Sequence, residues 1–347
     1  MFAHKETDRF LAALDASVKD ARLPHWKARG LKAFSRLLRR PLRFGIFGEP
    51  GSGQPSILNT LLQYQVLATA RSFEGHPATL VRYGETLASY SVGRDGSRHR
   101  LTSKVISQLA DRNPYASGAH SRVIYQSRER SSSLAARDVM RNSRDPLQAP
   151  SEASFIEVFV PAPMLRDIEI LEVPVNSTLR EFVPEIGALI RRVDIAAWVT
   201  IATGAWKNSE FKAWKRLAST SQPHSILIVT DNEALAESEA VKLRARIEAD
   251  AAASFRARAY VAIKRAASLQ SEGHEGGASE DWEQTGFPFL LRLLHHLTDE
   301  VRAARLARVE AILNKFGWNA ESVTDAQAPS RWEEDRDAAG VHSRGQV

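Results

Sequence analysis

Residues 42–62, LRFGIFGEPGSGQPSILNTLL, have the pattern of an apolar strand, a glycine-rich turn and an apolar-striped helix in that order. A phosphate-binding loop of the form G-x-x-x-x-G-K-[S/T] requires this order. In such a loop consecutive backbone N–H groups encircle the phosphates, a lysine reaches the β and γ oxygens, and a hydroxyl binds Mg²⁺. The segment therefore indicates an α/β fold built around a phosphate loop.

The loop departs from this motif at the positions that carry its chemistry. Gly48 and Gly53 hold the two glycine positions, but Gln54 replaces the lysine and Pro55 replaces the Ser/Thr. Pro55 has neither a hydroxyl for a metal nor an N–H for a phosphate oxygen. Ser56 does not substitute, because one residue further along the helix its hydroxyl is rotated by about 100°. The residues of this predicted remnant loop are Gly48, Glu49, Gly51, Ser52, Gly53, Gln54 and Ser56.

Further along, runs rich in β-branched residues alternate with helical patterns, as expected of a parallel sheet. Residues 5–40 and 287–316 instead carry apolar stripes at helical spacing, which predicts that they pack together as a short bundle. The predicted organisation is N-terminal helices at 1–41, an α/β domain at 42–269 with a Ser/Arg-rich insert at 103–150, a loop at 270–286, a C-terminal helix at 287–317 and a disordered tail at 318–347.

The composition excludes several classes of protein. The chain contains no cysteine, which removes disulfide frameworks, thiolate metal sites and cysteine nucleophiles and favours an intracellular protein. The first residues carry charge where a signal peptide needs an apolar run, and no run of about 18 apolar residues is present. We expect a cytoplasmic protein without a transmembrane segment, with peripheral attachment to a membrane as an option. No residue spacing points to a catalytic or metal site.

Positive charge is concentrated in one part of the sequence. The formal net charge is +6, and arginines recur among serines between Arg94 and Arg144. This stretch has few aromatic residues that could stack on bases, so we expect no nucleic acid partner. Two interpretations stay open: a solvated insert, or a patch that contacts an anionic partner. The second predicts weak, salt-sensitive contact with an anionic membrane surface.

The loop FGEPGSGQPSILNTLL resembles the GEFNSGKSSLINALL type of loop in bacterial dynamin-like GTPases. Five later segments resemble the same family in the same order: PATLVRYGE with VGRDG, IEVFVPAPMLRDIEILEVPVNS, RRVDIAAWVTIATGAWKNSEF, SILIVTDNEAL and AYVAIKRAA. The resemblance covers residues 5–316. It implies a P-loop NTPase fold of the dynamin G-domain type, with a mostly parallel sheet flanked by helices and a short bundle from the terminal helices.

The later motifs also differ from the family at their chemical positions. The D-T-P-G motif, which supplies an aspartate for Mg²⁺ and a glycine N–H for the γ-phosphate, is matched by EVPV at 172–175. The [N/T]-K-x-D motif, whose lysine packs on the base and whose aspartate selects guanine, is matched by TDNE at 230–233. The first-switch threonine has no clear counterpart. The remnant motif residues implied by the resemblance are Glu172, Pro174, Thr230, Asp231 and Glu233.

These losses indicate the function. A charge-assisted hydrogen bond contributes roughly 1.5–3 kcal/mol, so loss of the lysine alone weakens triphosphate binding about ten- to a hundredfold. Phosphoryl transfer suffers more, because its transition state depends on Mg²⁺, the lysine and positioned donors. We predict a pseudo-GTPase without a resident cofactor, with GTP and Mg²⁺ bound weakly at most. It would serve as a binding or scaffolding module for another protein, such as an active dynamin-like GTPase.

The alternative is an active or weakly active GTPase that takes the missing cation from another residue or from a partner. Arginines of the insert at 103–150 are the candidates that the sequence offers.

Overall fold

The computed structural model describes residues 2–19, 24–64, 66–67, 78–101, 153–175, 184–218, 224–231, 236–272 and 280–318. The predicted insert at 103–150 lies outside these ranges, as does the predicted tail apart from Trp318. The chain divides into two compact units, one formed by Pro41–Leu297 and the other by Met1–Arg40 with Thr298–Val347.

The elements of the described chain follow one another in this order: α1 (Phe2–Lys19), α2 (His25–Arg39), β1 (Leu42–Gly48), α3 (Gln54–Leu62), β2 (Ala78–Tyr83), β3 (Ala88–Gly93), β4 (Arg98–Arg100), β5 (Ala153–Val160), β6 (Ile168–Pro174), α4 (Pro184–Ile190), β7 (Ile195–Ile201), α5 (Asn208–Ala218), β8 (Ser225–Thr230), α6 (Glu237–Ala251), β9 (Ala257–Val261), α7 (Ile263–Ser271), α8 (Glu280–Gln284) and α9 (Phe287–Lys315).

The strands form one sheet in the order β4-β3-β5-β2-β6-β1-β7-β8-β9. Strand β1 pairs in parallel with β6 on one side and β7 on the other, and β7, β8 and β9 continue the parallel arrangement. Strand β2 runs antiparallel to β6, and β3 runs antiparallel to both of its neighbours. The prediction of a mostly parallel sheet with the loop-bearing strand inside it is confirmed.

The central strands are mostly apolar because both faces of the sheet are covered. Every residue of β1 and of β8 is buried, as parallel strands with helices on both sides require. One face packs Phe47, Leu171 and Trp198 into a core with Trp214 of α5 and Ile247 of α6. This packing fixes where the strands end, and therefore where the loops after them lie.

The predicted loop at 270–286 is partly helical. Helix α7 continues to Ser271, and α8 forms a short helix with acidic residues in its first turn. Its Trp282 is buried, and the Trp282 ring lies against the ring of Phe287 with 5.6 Å between their centroids. One buried tryptophan anchors this single turn of helix, and a five-residue helix is too short to produce a periodic pattern in the sequence.

The terminal helices form a bundle with its own core. Residues of α1, α2 and α9 bury their apolar stripes against one another, and this core contains Phe10, Leu11, Leu14, Leu31, Val309 and Leu313. The ring of Trp318 meets the edge of Phe10 with 5.2 Å between centroids. The predicted packing of the terminal helices is therefore confirmed. No helix in the described ranges has the length and hydropathy needed to cross a membrane.

A chain of ion pairs crosses the sheet. The guanidinium of Arg43 on β1 is fully buried and contacts the carboxylate of Glu169 on β6 at 2.5 Å. The second oxygen of Glu169 accepts a hydrogen bond from Arg82 on β2 at 3.0 Å, and Arg82 also pairs with Glu157 on β5 at 2.5 Å. Arg98 on β4 pairs with the other oxygen of Glu157. These side chains link five strands through charges that are mostly shielded from water.

Candidate functional site

The backbone of residues 48–54 has the shape of a phosphate loop. Strand β1 ends at Gly48, and α3 begins at Gln54. A Cβ atom on Gly48 would lie 2.5 Å from the carbonyl oxygen of Val199, so only glycine fits there. Gly51 and Gly53 adopt φ values of +85° and +100°, which glycine reaches without strain. The predicted strand, turn and helix are therefore present, with glycine where the turn needs it.

The side chain of Gln54 lies inside this loop. Its Nε2 donates hydrogen bonds to the carbonyl oxygens of Gly48, at 3.0 Å, and Val173, at 3.2 Å. Its Oε1 accepts a hydrogen bond from the hydroxyl of Ser52 at 3.2 Å, and the residue is only 1% exposed. A lysine at this position extends toward the phosphates of a nucleotide. Gln54 instead places a neutral carboxamide among main-chain carbonyls at the strand ends.

Two main-chain donors of the site already have partners within the protein. The N–H of Val175, at the position of the D-T-P-G glycine, donates to the carbonyl oxygen of Gly48 at 2.8 Å, directly after Pro174 ends β6. The N–H of Ser52 donates to the carbonyl oxygen of Glu49 at 3.1 Å. Phosphate binding by a loop depends on N–H groups that point at the ligand. Here these two N–H groups bond to the loop and its neighbouring strand.

The start of α3 offers little to a metal ion. Pro55 occupies the first turn of the helix, where its lack of an N–H is tolerated. Ser56 follows it on the helix and is half-buried. The hydroxyl that a phosphate loop presents to Mg²⁺ is therefore missing from the position of Pro55.

Glu172, at the position of the D-T-P-G aspartate, is inside the sheet. It is fully buried in β6, in register with Ile46 of β1 and Thr79 of β2. Burial raises the pKa of its carboxyl to about 8. Since desolvation disfavours the charged form, Glu172 is mostly protonated at pH 7. A neutral carboxylic acid is a poor ligand for a hard cation such as Mg²⁺.

The remnant of the [N/T]-K-x-D motif begins at the end of β8, beside the loop. The hydroxyl of Thr230 donates to the carbonyl oxygen of Ser52 at 2.7 Å and so ties β8 to the loop. Asp231 follows with a φ of +54°, and its Oδ2 lies 3.1 Å from Nζ of Lys264 on α7. Glu233 lies outside the described residues. The charge reversal at Asp231 is thus matched by a lysine from the segment after the last strand.

A second lysine reaches the loop from the segment between β7 and α5. Nζ of Lys207 lies 3.7 Å from Oε2 of Glu49, and the Lys207 side chain is half exposed. Glu210 holds this segment in place, because its carboxylate accepts hydrogen bonds from the N–H of Lys207 at 2.8 Å and from Nε1 of Trp198 at 3.2 Å. Burial raises the pKa of Glu210.

Sequence reasoning missed Lys207 and Lys264. Charge complementarity could have indicated Lys264. Asp231 is an acid at the lysine position of the [N/T]-K-x-D motif, and an acid at that position favours a cation nearby. Lys207 belongs to the segment RRVDIAAWVTIATGAWKNSEF, which resembles the family as a whole. No sequence motif singles out its side chain as part of the site.

The described side chains do not fit a magnesium-bound nucleoside triphosphate. The loop lacks the lysine and the hydroxyl, the Gln54 carboxamide is bonded to main-chain carbonyl oxygens, and Glu172 is neutral at pH 7. The two nearby lysines are each within ion-pair distance of a carboxylate. The site keeps the shape of a phosphate loop without the groups that neutralise phosphate charge.

Neither a protein-family model nor a curated protein matches this sequence. Among solved structures, the chain is similar to one of an oligomerised bacterial dynamin pair, described as a mechanism for the long-range sensing and tethering of membranes. The identity is 15% and the TM-score 0.51, over 88% of this chain and 43% of that chain. A second structure with the same description gives 15% identity, a TM-score of 0.49, and coverage of 89% and 43%.

The chain therefore spans less than half the length of the structures that it resembles. At this level of identity the similarity concerns the fold alone. The predicted dynamin-like G-domain fold is confirmed.

Proposed function

We propose that this chain is a dynamin-like pseudo-GTPase: a G domain that has lost its phosphate chemistry and acts as a binding or scaffolding module. The observation that carries the proposal is the position of the Gln54 side chain. Its carboxamide donates to the carbonyl oxygens of Gly48 and Val173, so the residue at the lysine position is bonded within the protein and carries no charge.

The energetics of this arrangement oppose nucleotide binding. To turn toward a phosphate, the Gln54 carboxamide would have to give up these buried hydrogen bonds, each worth roughly 0.5–1.5 kcal/mol net. The displaced carboxamide would offer no positive charge in return. A lysine, by contrast, gains a charge-assisted hydrogen bond of roughly 1.5–3 kcal/mol. This comparison of hydrogen-bond energies favours the loop without nucleotide over a triphosphate complex.

The partner in this proposal is another protein, with an active dynamin-like GTPase as the leading candidate. The solved structure with the similar fold is of a bacterial dynamin pair, which supports a role in a complex of related chains. The intact core supports the same role, because a scaffold needs its shape but not its catalytic groups. The cytoplasmic or peripheral location predicted from the sequence belongs to this proposal too.

One observation favours the alternative, a weakly active GTPase. Lys207 lies beside the loop and its side chain is half exposed. Its Nζ is 3.7 Å from Oε2 of Glu49, which is a long distance for an ion pair. A lysine side chain has several rotatable bonds and can turn its ammonium from a carboxylate to a phosphate. In this alternative Lys207 supplies the missing cation.

Restoration of the loop residues tests the proposal. We would measure melting temperatures of wild type, Gln54→Lys, Pro55→Ser and the double variant, each with GTP or ATP and with Mg²⁺ or EDTA. Millimolar GTP should leave the wild type unchanged. The double variant should gain a Mg²⁺-dependent shift of a few degrees, since a ligand at a hundredfold its dissociation constant adds about 2.7 kcal/mol.

Gln284→Lys, the same change at an exposed residue of α8, is the matched control and should gain nothing. A Mg²⁺-dependent GTP shift in the wild type that disappears in Lys207→Ala would favour the alternative and contradict the pseudo-GTPase.

A further inference from the structure

Helix α2 is strongly basic. It contains Lys27, Arg29, Lys32, Arg36 and Arg39, and no acidic residue occurs between its start and the end of β1. Arg39 is neutralised by Asp15 of α1, whose carboxylate lies 2.5 Å from its guanidinium. In the part of the chain that the structure describes, none of the other four cations forms an ion pair with a carboxylate.

The helix also has apolar residues on its outer side. Leu31 points into the bundle core, and Phe34 and Leu38 pack against that core. Trp26 and Leu37, in contrast, are 66% and 40% exposed. Trp26 and Leu37 lie on the side of the helix opposite the buried residues.

The exposed residues lie on one side of the helix, because helical residues are about 100° apart. Trp26, Ala33 and Leu37 fall within about 40° of one another around the helix axis. Arg29, Lys32 and Arg36 fall on the adjacent strip and are exposed. We call the surface formed by these six residues the outer face of α2. It places an apolar strip directly beside a basic strip.

We infer that the outer face of α2 docks on an anionic lipid bilayer. The basic strip complements negatively charged headgroups, to which each nearby Lys or Arg adds roughly a factor of five in affinity. The apolar strip matches the boundary of headgroups and acyl chains, where an amphipathic helix buries its apolar side. Tryptophan is favoured at this depth, because its ring is apolar and its N–H can stay hydrated.

The apolar strip distinguishes this occupant from nucleic acid. Phosphate backbones are bound by cations together with polar side chains, and an adjacent leucine has no role in such contacts. The inference is independent of nucleotide binding, because all six residues belong to the terminal bundle.

Co-sedimentation with vesicles tests the inference. The full chain is mixed with phosphatidylcholine vesicles, with and without about a third phosphatidylserine, at low and at high salt. We expect binding to the anionic vesicles that weakens with salt. The triple variant Arg29→Glu, Lys32→Glu, Arg36→Glu should weaken binding by roughly a hundredfold or more, because three contributions of about fivefold are lost. Trp26→Ser should weaken it by roughly tenfold.

A matched control reverses the same number of charges elsewhere, with Lys212→Glu, Lys215→Glu and Lys242→Glu on exposed positions of α5 and α6. This control should bind vesicles almost as wild type does. Equal losses in both triple variants would overturn the inference, as would wild-type binding by Trp26→Ser. Binding of a labelled DNA duplex through α2 without any vesicle binding would overturn it as well.

Discussion

The variant Glu169→Ala should lose about 3–5 kcal/mol of unfolding free energy, which lowers the melting temperature by roughly 6–20 °C. Glu169 is the partner of Arg43, which is fully buried, and it also accepts from Arg82. Burial lowers the pKa of the Arg43 guanidinium and Glu169 opposes this effect. Without Glu169, the buried guanidinium of Arg43 keeps one side-chain hydrogen bond among those that the structure shows, to the carbonyl oxygen of Leu189 at 2.9 Å.

The control is Glu248→Ala, which removes an ion pair with Arg258 at a more exposed position. Exposed pairs contribute at most about 1 kcal/mol, so the control should unfold close to wild type. Chemical denaturation monitored by circular dichroism measures both variants. A loss below about 1 kcal/mol for Glu169→Ala would show that the chain of ion pairs contributes little to the fold.

The variant Glu172→Gln should be more stable than wild type at pH 7 by roughly 3 kcal/mol, and about equally stable near pH 4.5. The Glu172 pKa is about 8 in the folded chain, against 4.5 for an ordinary glutamate. The folded state therefore holds a proton that the unfolded state has released between these two pH values. Wild-type stability falls across this window by about 1.4 kcal/mol per pH unit and levels off above it.

Glutamine keeps the shape of the neutral acid and removes this pH dependence. Glu310→Gln, at an exposed position of α9, is the control and should follow the wild-type profile. Denaturation midpoints between pH 4.5 and 8.5 measure the effect. Parallel profiles for wild type and Glu172→Gln would mean that Glu172 is charged in the folded chain, and would contradict its description as a neutral, poor ligand for Mg²⁺.

Much of the fold could be predicted because its determinants are local. The run from β1 to α3 combines a fully buried strand, glycines at a tight turn and a helix with proline in its first turn, and each of these choices favours the same structure. The parallel strands β7 and β8 were visible as continuous apolar runs. Helix α8 was missed because the packing of its buried Trp282 is not revealed by any periodic pattern.

The candidate site was predictable in its backbone and in its missing groups, but not in its side-chain contacts. The sequence shows that Gln54 carries no charge. It does not show that the carboxamide turns onto the carbonyl oxygens of Gly48 and Val173, because Val173 is 119 residues away along the chain. The pairing of Asp231 with Lys264 is likewise a contact between two separate strand ends. Such contacts depend on the register of the sheet.

The protonation of Glu172 shows the same limit. A glutamate in place of an aspartate suggests a carboxylate one methylene longer, still close to a metal. The structure places it within β6 in a fully buried position, where desolvation keeps the proton on the carboxyl at pH 7. Burial inside a sheet changes the chemistry of the group, and burial is a property of the assembled fold.

Isothermal titration calorimetry of the wild-type chain with Mg²⁺ and GTP determines whether the loop binds nucleotide, with the Gln54→Lys, Pro55→Ser double variant measured beside it. We predict no saturable binding to the wild type up to millimolar GTP, because the Gln54 carboxamide is bonded to main-chain carbonyl oxygens and carries no charge at the lysine position. Saturable wild-type binding in the micromolar range that is abolished by EDTA would contradict the account.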